Sequence, residues 1–492
     1  MAERPGSAAG RETSRRLTVV SLLMAVFLAA MEMTVVATAM PTVVGELGGL
    51  HLYAWAFAAY MLASTVTTPI WGKLADLRGR RPVLLAGLGL FVLSSLACGA
   101  SATMGQLIGF RTVQGLAAGA VQPIALTIVG DLFDVRERAR LQGVFGAVWG
   151  VAGIAGPLLG GAIVATLGWR WIFWFNVPVA LGCAAMLLVA YHERPEHHPH
   201  RLDLAGAALL AVTVVSALLA ARSPASGAVA IPVAVVGLAL FLLVERRAAE
   251  PLLPLDLFAR RGIAVASGVG ALVGAAMLAM VTFVPLWAQS VLGATPTAAG
   301  ASIAPLAIGW PIMSTISGRL LHRVGYRPLI SGGLAIVAVA AVALLFALRP
   351  GVPLGVVSLI TFLFGAGLGC ANTPLLISVQ TSVPWNRRGV ATASTMFFRT
   401  IGGTLSVGLL GGVLAHALAG AGAGDVADKL LGPERALLPP DVVAGLSGTL
   451  QGALGVVFVA VAIVAAAAFL TSLLFPAMAV QRAGERAPEA EG

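Results

Sequence analysis

Charge is scarce in this chain. Only 11% of its 492 residues are charged, against 58% hydrophobic, whereas an ordinary soluble protein carries about 25% charged residues. A water-facing globule needs a wettable exterior, so this composition excludes the set of soluble domains that length alone would suggest. Lysine is almost missing, with Lys73 and Lys429 standing against 29 arginines. Cysteine is nearly as rare. Cys98, Cys183 and Cys370 each lie inside an apolar stretch, none with CxxC spacing, so neither a disulfide framework nor a metal site is supported. No G-x-x-x-x-G-K-[ST] phosphate loop, zinc-protease helix or nucleophile elbow occurs, which leaves ATP-driven pumping and hydrolysis without support. The balance is basic, with a net charge of +10. Such a balance can signal nucleic acid. Here the positive residues form short clusters between apolar runs, which favours a membrane and argues against a nucleic-acid partner.

What the chain has in abundance is long apolar sequence. About 20 apolar residues carry a helix across the hydrocarbon. Six stretches come first, at 17–40, 53–72, 82–101, 105–130, 141–166 and 170–191. Two shorter ones follow, at 204–222 and 228–244, and six more at 262–289, 298–318, 328–348, 351–377, 389–417 and 447–475. The first is too long for a signal-peptide core and is read as an uncleaved helix. Positive charge tests the count, because Lys and Arg accumulate in cytoplasmic loops. With the N-terminus inside, 24 of the 31 basic residues fall in cytoplasmic segments and five outside, while Arg111 and Arg399 lie within spans. Removing one helix would invert every later loop and destroy this asymmetry. The sequence therefore predicts an all-α membrane protein with fourteen transmembrane helices and both termini cytoplasmic. The arginine bias, with abundant Ala and Gly, suggests a GC-rich bacterial genome and so the bacterial inner membrane.

The chain also repeats itself. Gly72-Lys-Leu-Ala-Asp-Leu-Arg-Gly-Arg-Arg-Pro82 returns 246 residues later as Gly318-Arg-Leu-Leu-His-Arg-Val-Gly-Tyr-Arg-Pro328, identical at five of eleven positions. Both copies follow the second helix of a six-helix set. The expected organisation is a cytoplasmic tail (1–16), a six-helix bundle (17–191), a linker with two extra helices (192–261), a second six-helix bundle (262–476) and a second tail (477–492). Repeats of this kind mark secondary transporters, with the substrate site between the halves near the midplane. The linker is histidine-rich (His197, His198, His200), with Glu196 and Asp203 nearby. It matches no metal motif, so an exposed linker is expected and no metal.

At these residues a family resemblance emerges. The loop from Gly72 to Arg81 resembles motif A of the major facilitator superfamily. Arg111-Thr-Val-Gln114-Gly115 is similar to its motif B. Gly150-Val-Ala-Gly-Ile-Ala-Gly-Pro-Leu-Leu-Gly-Gly161 resembles motif C, the antiporter motif. Met31-Glu-Met-Thr-Val-Val-Ala-Thr-Ala-Met-Pro41 and Trp169-Arg-Trp-Ile-Phe-Trp-Phe-Asn-Val-Pro178 are similar to signatures of the fourteen-helix drug:proton antiporters. The chain departs from that pattern at Glu32, where Asp is usual, and at Ala37, where Asn is frequent. The resemblance implies a major facilitator fold and proton-coupled efflux of lipophilic, cationic drugs by alternating access. It implies no enzyme activity and no prosthetic cofactor, with H⁺ as the coupling ion. The expected partners are small amphipathic substrates and membrane lipid, and the chain is expected to act as a monomer. Export of a lipid, siderophore or endogenous metabolite is the alternative within transport. A non-transporting receptor is the alternative outside it.

Glu32 is the only acidic residue well inside a span. Carboxylates there are expensive and usually face a cavity or a partner. It lies about 12 Å from the outer end of its helix, and Arg111 about 9 Å deep in the fourth, by the helical rise. The two are expected to form the proton-coupling pair, with Glu32 exchanging a proton for Arg111 or a cationic substrate. A permanent structural pair is the competing reading. Arg399 lies about 15 Å into its helix, positioned either to meet an anionic group or to tie neighbouring carbonyls. Tyr60, Gln114, Gln122, Asn176, Gln289 and Asn372 are further candidates for the substrate cavity.

The loop around Gly72, Asp76, Gly79 and Arg80 reads as a conformational latch. Arg80 is placed to pair with Asp131, and Asp76 to cap a helix or bind Arg138 and Arg140; in the superfamily such contacts favour the outward-open state. On the fifth helix Gly146, Gly150, Gly153, Gly156 and Gly160 recur at three- and four-residue spacing, which lets another helix approach closely, and Gly161 completes the Gly-Pro-x-x-Gly-Gly ending. Pro157 removes a backbone donor and bends the helix. A smooth bent helix against the opposite half could seal one side as the halves rock.

Overall fold

The computed structural model describes residues 13–133, 135–193, 203–220, 224–248, 251–349, 351–384, 387–420, 427–432, 435 and 437–476. Among these residues it is helical, with short 3-10 turns and no strand. Fourteen long helices follow one another: α1 (Arg15–Leu47), α2 (Tyr53–Arg78), α3 (Arg80–Gly99), α4 (Met104–Leu132), α5 (Val135–Leu167), α6 (Arg170–Ala190, broken at Phe175), α7 (Leu204–Ala220), α8 (Pro224–Arg247), α9 (Arg261–Ser290), α10 (Pro296–Val324), α11 (Tyr326–Ala347), α12 (Leu354–Thr381), α13 (Arg388–Gly420) and α14 (Pro440–Ser472). Each predicted stretch falls on one of them. Twelve are long and apolar enough to cross a membrane. The exceptions are α2, diluted by Ser64, Thr65, Thr67, Thr68 and its charged end, and α7, whose 17 residues fall just short.

Helices run past the apolar stretches that announce them: α5 starts at Val135 and α1 continues to Leu47. A helix satisfies its own backbone, so it continues beyond the hydrocarbon. Its ends are set by local chemistry. Thr103 caps α4 by accepting the Gln106 N–H, and Thr295 caps α10 ahead of Pro296. Gly79 (φ 94°) and Gly325 (φ 88°) make the sharp turns after α2 and α10. They are the matching glycines of the internal repeat, at a backbone conformation that side chains rarely adopt.

The repeat extends to packing. In the first half α2 lies on α4, α3 on α4, α1 on α5 and α1 on α6; in the second, α10 lies on α12, α11 on α12, α9 on α13 and α9 on α14. A Cβ on Gly115 would sit 2.2 Å from the Tyr60 carbonyl oxygen, and one on Gly365 2.1 Å from that of Leu306. Leu306 is the residue 246 positions after Tyr60. One helix pair has been built twice, with glycine allowing the same backbone approach in each copy.

The halves meet along two seams, α5 with α10 and α2 with α13. The close contacts cluster toward the end that carries the α1–α2 and α9–α10 connections. There the Tyr53 hydroxyl donates to the Thr282 carbonyl at 2.6 Å, and Gln289 Nε2 to the Thr38 carbonyl at 2.9 Å. Asp428 accepts the N–H groups of Gly49 and Leu50 at 2.7 and 2.9 Å. Toward the opposite, arginine-rich end, Cβ atoms added at Gly146 and Gly72 would meet nothing within 4 Å. The inserted pair α7–α8 packs on itself, and α7 also lies against α2 and α13. Leu210, Val214 and Leu218 share an apolar cluster there with Ala58 and Leu62 of α2, with Phe397 and Ile401 of α13 packed against it.

Candidate functional site

Within the first half, α1, α4 and α6 bring three polar side chains together. The Glu32 and Arg111 side chains are each only 1% exposed. One carboxylate oxygen of Glu32 accepts from Arg111 Nη1 and the other from Asn176 Nδ2. Arg111 Nη1 also donates to Gln114 Oε1 at 2.8 Å, and its Nε to the Ala56 carbonyl at 3.3 Å. Gln114 Nε2 passes the chain on to Ser95 Oγ at 2.8 Å. The Tyr60 ring centroid lies 4.1 Å from the guanidinium carbon, a cation–π contact, with Phe173 further out at 5.9 Å. Taking both charges out of water costs several kcal/mol per ion, which their attraction offsets only if the remaining polar atoms also find partners. Here both carboxylate oxygens and two guanidinium nitrogens do. A proton on Glu32 would cancel its charge and leave Arg111 without its counter-ion, so protonation and ion pairing compete for one carboxylate.

Four of the sequence-predicted residues thus meet at Glu32, counting Arg111, Gln114 and Asn176, with Tyr60 stacked over the arginine. Gln289 lies elsewhere: besides its bond to Thr38 it accepts from Thr42 Oγ1 at 3.2 Å, so it ties α9 to α1 across the halves. Gln122 is exposed on α4. Asn372 and Arg399 line one small, open-sided cavity between α9, α12 and α13. The Arg399 guanidinium lies 5.5 Å from the centre of the Trp310 ring.

The latch loop packs at the arginine-rich end. Arg80 Nε lies 2.8 Å from Asp131 Oδ2, and Arg80 Nη2 lies 3.7 Å from Asp76 Oδ1. The carboxylate that caps a helix here is Glu193, which accepts the N–H groups of Arg80 and Arg81 at 2.7 and 2.9 Å at the start of α3. Glu193 is the first acid after α6 and far from Arg80 in sequence, so no local pattern pointed to it. The side chains of Arg138 and Arg140 lie outside the described residues, as do His197, His198, His200 and Glu196. Gly72 faces open space, and a Cβ at Gly79 would crowd the Glu193 carboxylate at 2.9 Å.

The glycines of α5 divide between two partners. Cβ atoms at Gly156 and Gly160 would strike Thr34 and Val35 of α1, the closest approaches being 1.9 and 3.2 Å. Those at Gly153 and Gly161 would strike Ala307 and Thr297 of α10 at 2.6 and 2.4 Å. The Pro157 carbonyl faces Gly300 of α10, and Gly150 is only loosely approached, by Pro311 at 4.0 Å. One side of α5 therefore belongs to its own half and the other to the seam between halves.

Residues 22–407 match the family model described as Major Facilitator Superfamily. The chain belongs to that superfamily. The relatives of this superfamily member include the multidrug transporter protein MdtP of Bacillus subtilis (strain 168), 37% identical over 82% of this chain and 76% of the relative. Multidrug resistance protein 3 of the same organism is 33% identical over 82% and 80%. Efflux pump FUS6 of Gibberella fujikuroi (strain CBS 195.34 / IMI 58289 / NRRL A-6831) is 30% identical over 80% and 74%. Among solved structures, a bacterial homolog of the human lysosomal transporter Spinster, inward-facing and unoccupied, superposes with a TM-score of 0.69 at 15% identity, covering 96% of this chain and 98% of that one. Major facilitator fold, membrane transporter and relationship to efflux proteins are thereby fixed.

Proposed function

We propose that the protein is a proton-coupled drug exporter of the bacterial inner membrane, working by alternating access. In this reading the chain crosses the bilayer fourteen times as a monomer, with its arginine-rich end and both termini in the cytoplasm. The cargo comprises lipophilic compounds, cationic ones among them, and H⁺ is the coupling ion. The observation that carries it is the Glu32–Arg111–Asn176 cluster: one membrane carboxylate, fully hydrogen-bonded, whose charge a proton can cancel. The proton and Arg111 alternate as its counter-charge, and the two packing arrangements follow from which is present. Contacts concentrated at one end of the seams support an arrangement sealed toward the outside. The named activities of the relatives support drugs as cargo.

The test is dye movement in proteoliposomes under an imposed pH gradient. Gradient-driven flux is expected in the wild type and its loss in Glu32→Gln. Flux retained in Glu32→Gln would remove that carboxylate from coupling. A correctly folded wild type that moves no dye would point to a narrow exporter of a lipid, siderophore or metabolite.

A further inference from the structure

A second charge in the bundle has a different environment from Arg111. Arg399 is set by a close seam between α9 and α13: a Cβ at Gly274 would lie 1.9 Å from the Arg399 carbonyl oxygen, and one at Gly402 2.1 Å from that of Ala271. With the backbones so close, the side chain emerges into the cavity it shares with Asn372, Thr395 and Met396. Among the described residues Arg399 forms no ion pair and donates no hydrogen bond, and its charged end meets only the Trp310 ring. Helices α9 to α13 carry no carboxylate of their own, because the sequence contains no Asp or Glu between Asp256 and Asp425. In the other half the one deep carboxylate, Glu32, is 1% exposed and already paired.

A cation in a membrane protein faces a cavity or finds a partner. An aromatic face compensates part of a guanidinium's charge but leaves its planar fork of donors, which matches a carboxylate. We propose that Arg399, with Asn372 beside it and Trp310 behind it, is a subsite for the carboxylate of an amphipathic cargo, so that the transporter accepts zwitterionic and acidic compounds as well as cations. The apolar walls, Val269, Val273, Leu368 and Leu375, take the hydrophobic body of the same molecule. The inference goes beyond proton coupling and rests on the efflux reading only in taking the molecule bound there as cargo.

The experiment measures equilibrium binding of a matched dye pair, rhodamine 110 with its free carboxyl group and rhodamine 123 as the methyl ester, to the full-length protein in neutral detergent without a pH gradient. Losing a charge-assisted hydrogen bond corresponds to roughly tenfold or more in affinity. Arg399→Gln should therefore weaken the acid about tenfold while leaving the ester within twofold, and Arg399→Lys should recover much of the loss. Glu32→Gln should leave the acid-to-ester ratio unchanged, which separates this site from the coupling carboxylate. Equal weakening of both dyes in Arg399→Gln would make the arginine a structural tie and overturn the proposal, as would unchanged binding of both. Displacement of the acid by added phosphatidylglycerol would assign the guanidinium to a lipid headgroup and likewise overturn it.

Discussion

Asp428, in the segment before α14, receives the backbone N–H of Gly49 at 2.7 Å, in the turn between α1 and α2. Its other oxygen takes the next N–H, from Leu50. The two residues belong to opposite halves, so one carboxylate clamps the closed end. Hydrogen bonds to a charged group contribute roughly 1.5–3 kcal/mol each. Asp428→Ala should shift the balance between the two arrangements by an order of magnitude or more. Spin labels at His51 and Lys429 would read this as a new population at longer distance. An unchanged distance distribution would show that the clamp carries no weight.

The Glu32 cluster makes a prediction about stability. Removing one partner of a buried ion pair leaves the other uncompensated and costs about 3–5 kcal/mol. Arg111→Met should therefore lower the melting temperature in detergent markedly. Combining it with Glu32→Gln should restore much of the loss, because the stranded charge is gone. The double variant is expected to fold and not to couple. A double variant no more stable than Arg111→Met alone would mean that packing, not charge, holds this site.

Along α5 the same substitution should have different outcomes toward its two ends. Gly161→Ala sets a methyl 2.4 Å from the Thr297 backbone, whereas the same change at Gly146 meets nothing within 4 Å. Backbone cannot yield as a flexible side chain can, so Gly161→Ala should hold the α5–α10 seam apart and depress dye efflux severalfold. Gly146→Ala should be silent. Equal efflux by the two variants, at matched expression, would remove the seam from the transport cycle.

The Asp256–Arg387 pair supplies a pH test. The two lie 2.6 Å apart, between the segment entering α9 and the start of α13. The hydrogen bond from Arg387 holds the Asp256 carboxyl below its usual range. A carboxyl whose value is lowered on folding adds stability above its unfolded value, near 3.9, and loses it as pH falls through the folded one. The difference in thermal stability between wild type and Asp256→Asn should thus be constant at neutral pH and vanish only in strong acid. Both groups are largely exposed, so the difference should be small and weakened by salt. A difference that disappears near pH 5 would contradict the pairing.

Much of this was legible in the sequence because hydrocarbon is an unforgiving solvent. Fourteen apolar stretches announced the helices, and an acid at Glu32 and arginines at 111 and 399 stood out against them. The 246-residue repeat foretold that two copies of one packing scheme would be found. What the sequence did not disclose are contacts made between distant segments by ordinary residues. Asn176 read as one of several polar candidates, and only the approach of α6 to α1 makes it a ligand of Glu32. Glu193 and Asp428 sit in connections, where polar residues are unremarked, yet each accepts a pair of backbone N–H groups. Gln289 resembled a cavity residue because a buried amide looks the same in sequence whether it faces cargo or a carbonyl.

The inserted helices break the symmetry that the repeat would otherwise impose. The seams α5–α10 and α2–α13 are images of each other under the repeat, but α7 lies across only the second. Val151 and Leu158 of α5 and Ile308 and Ile312 of α10 remain exposed beside the first. The bundle thus has a shuttered flank and an unshuttered one. The α2–α13 seam therefore has α7 between it and the surroundings, whereas α5–α10 presents its own apolar side chains directly.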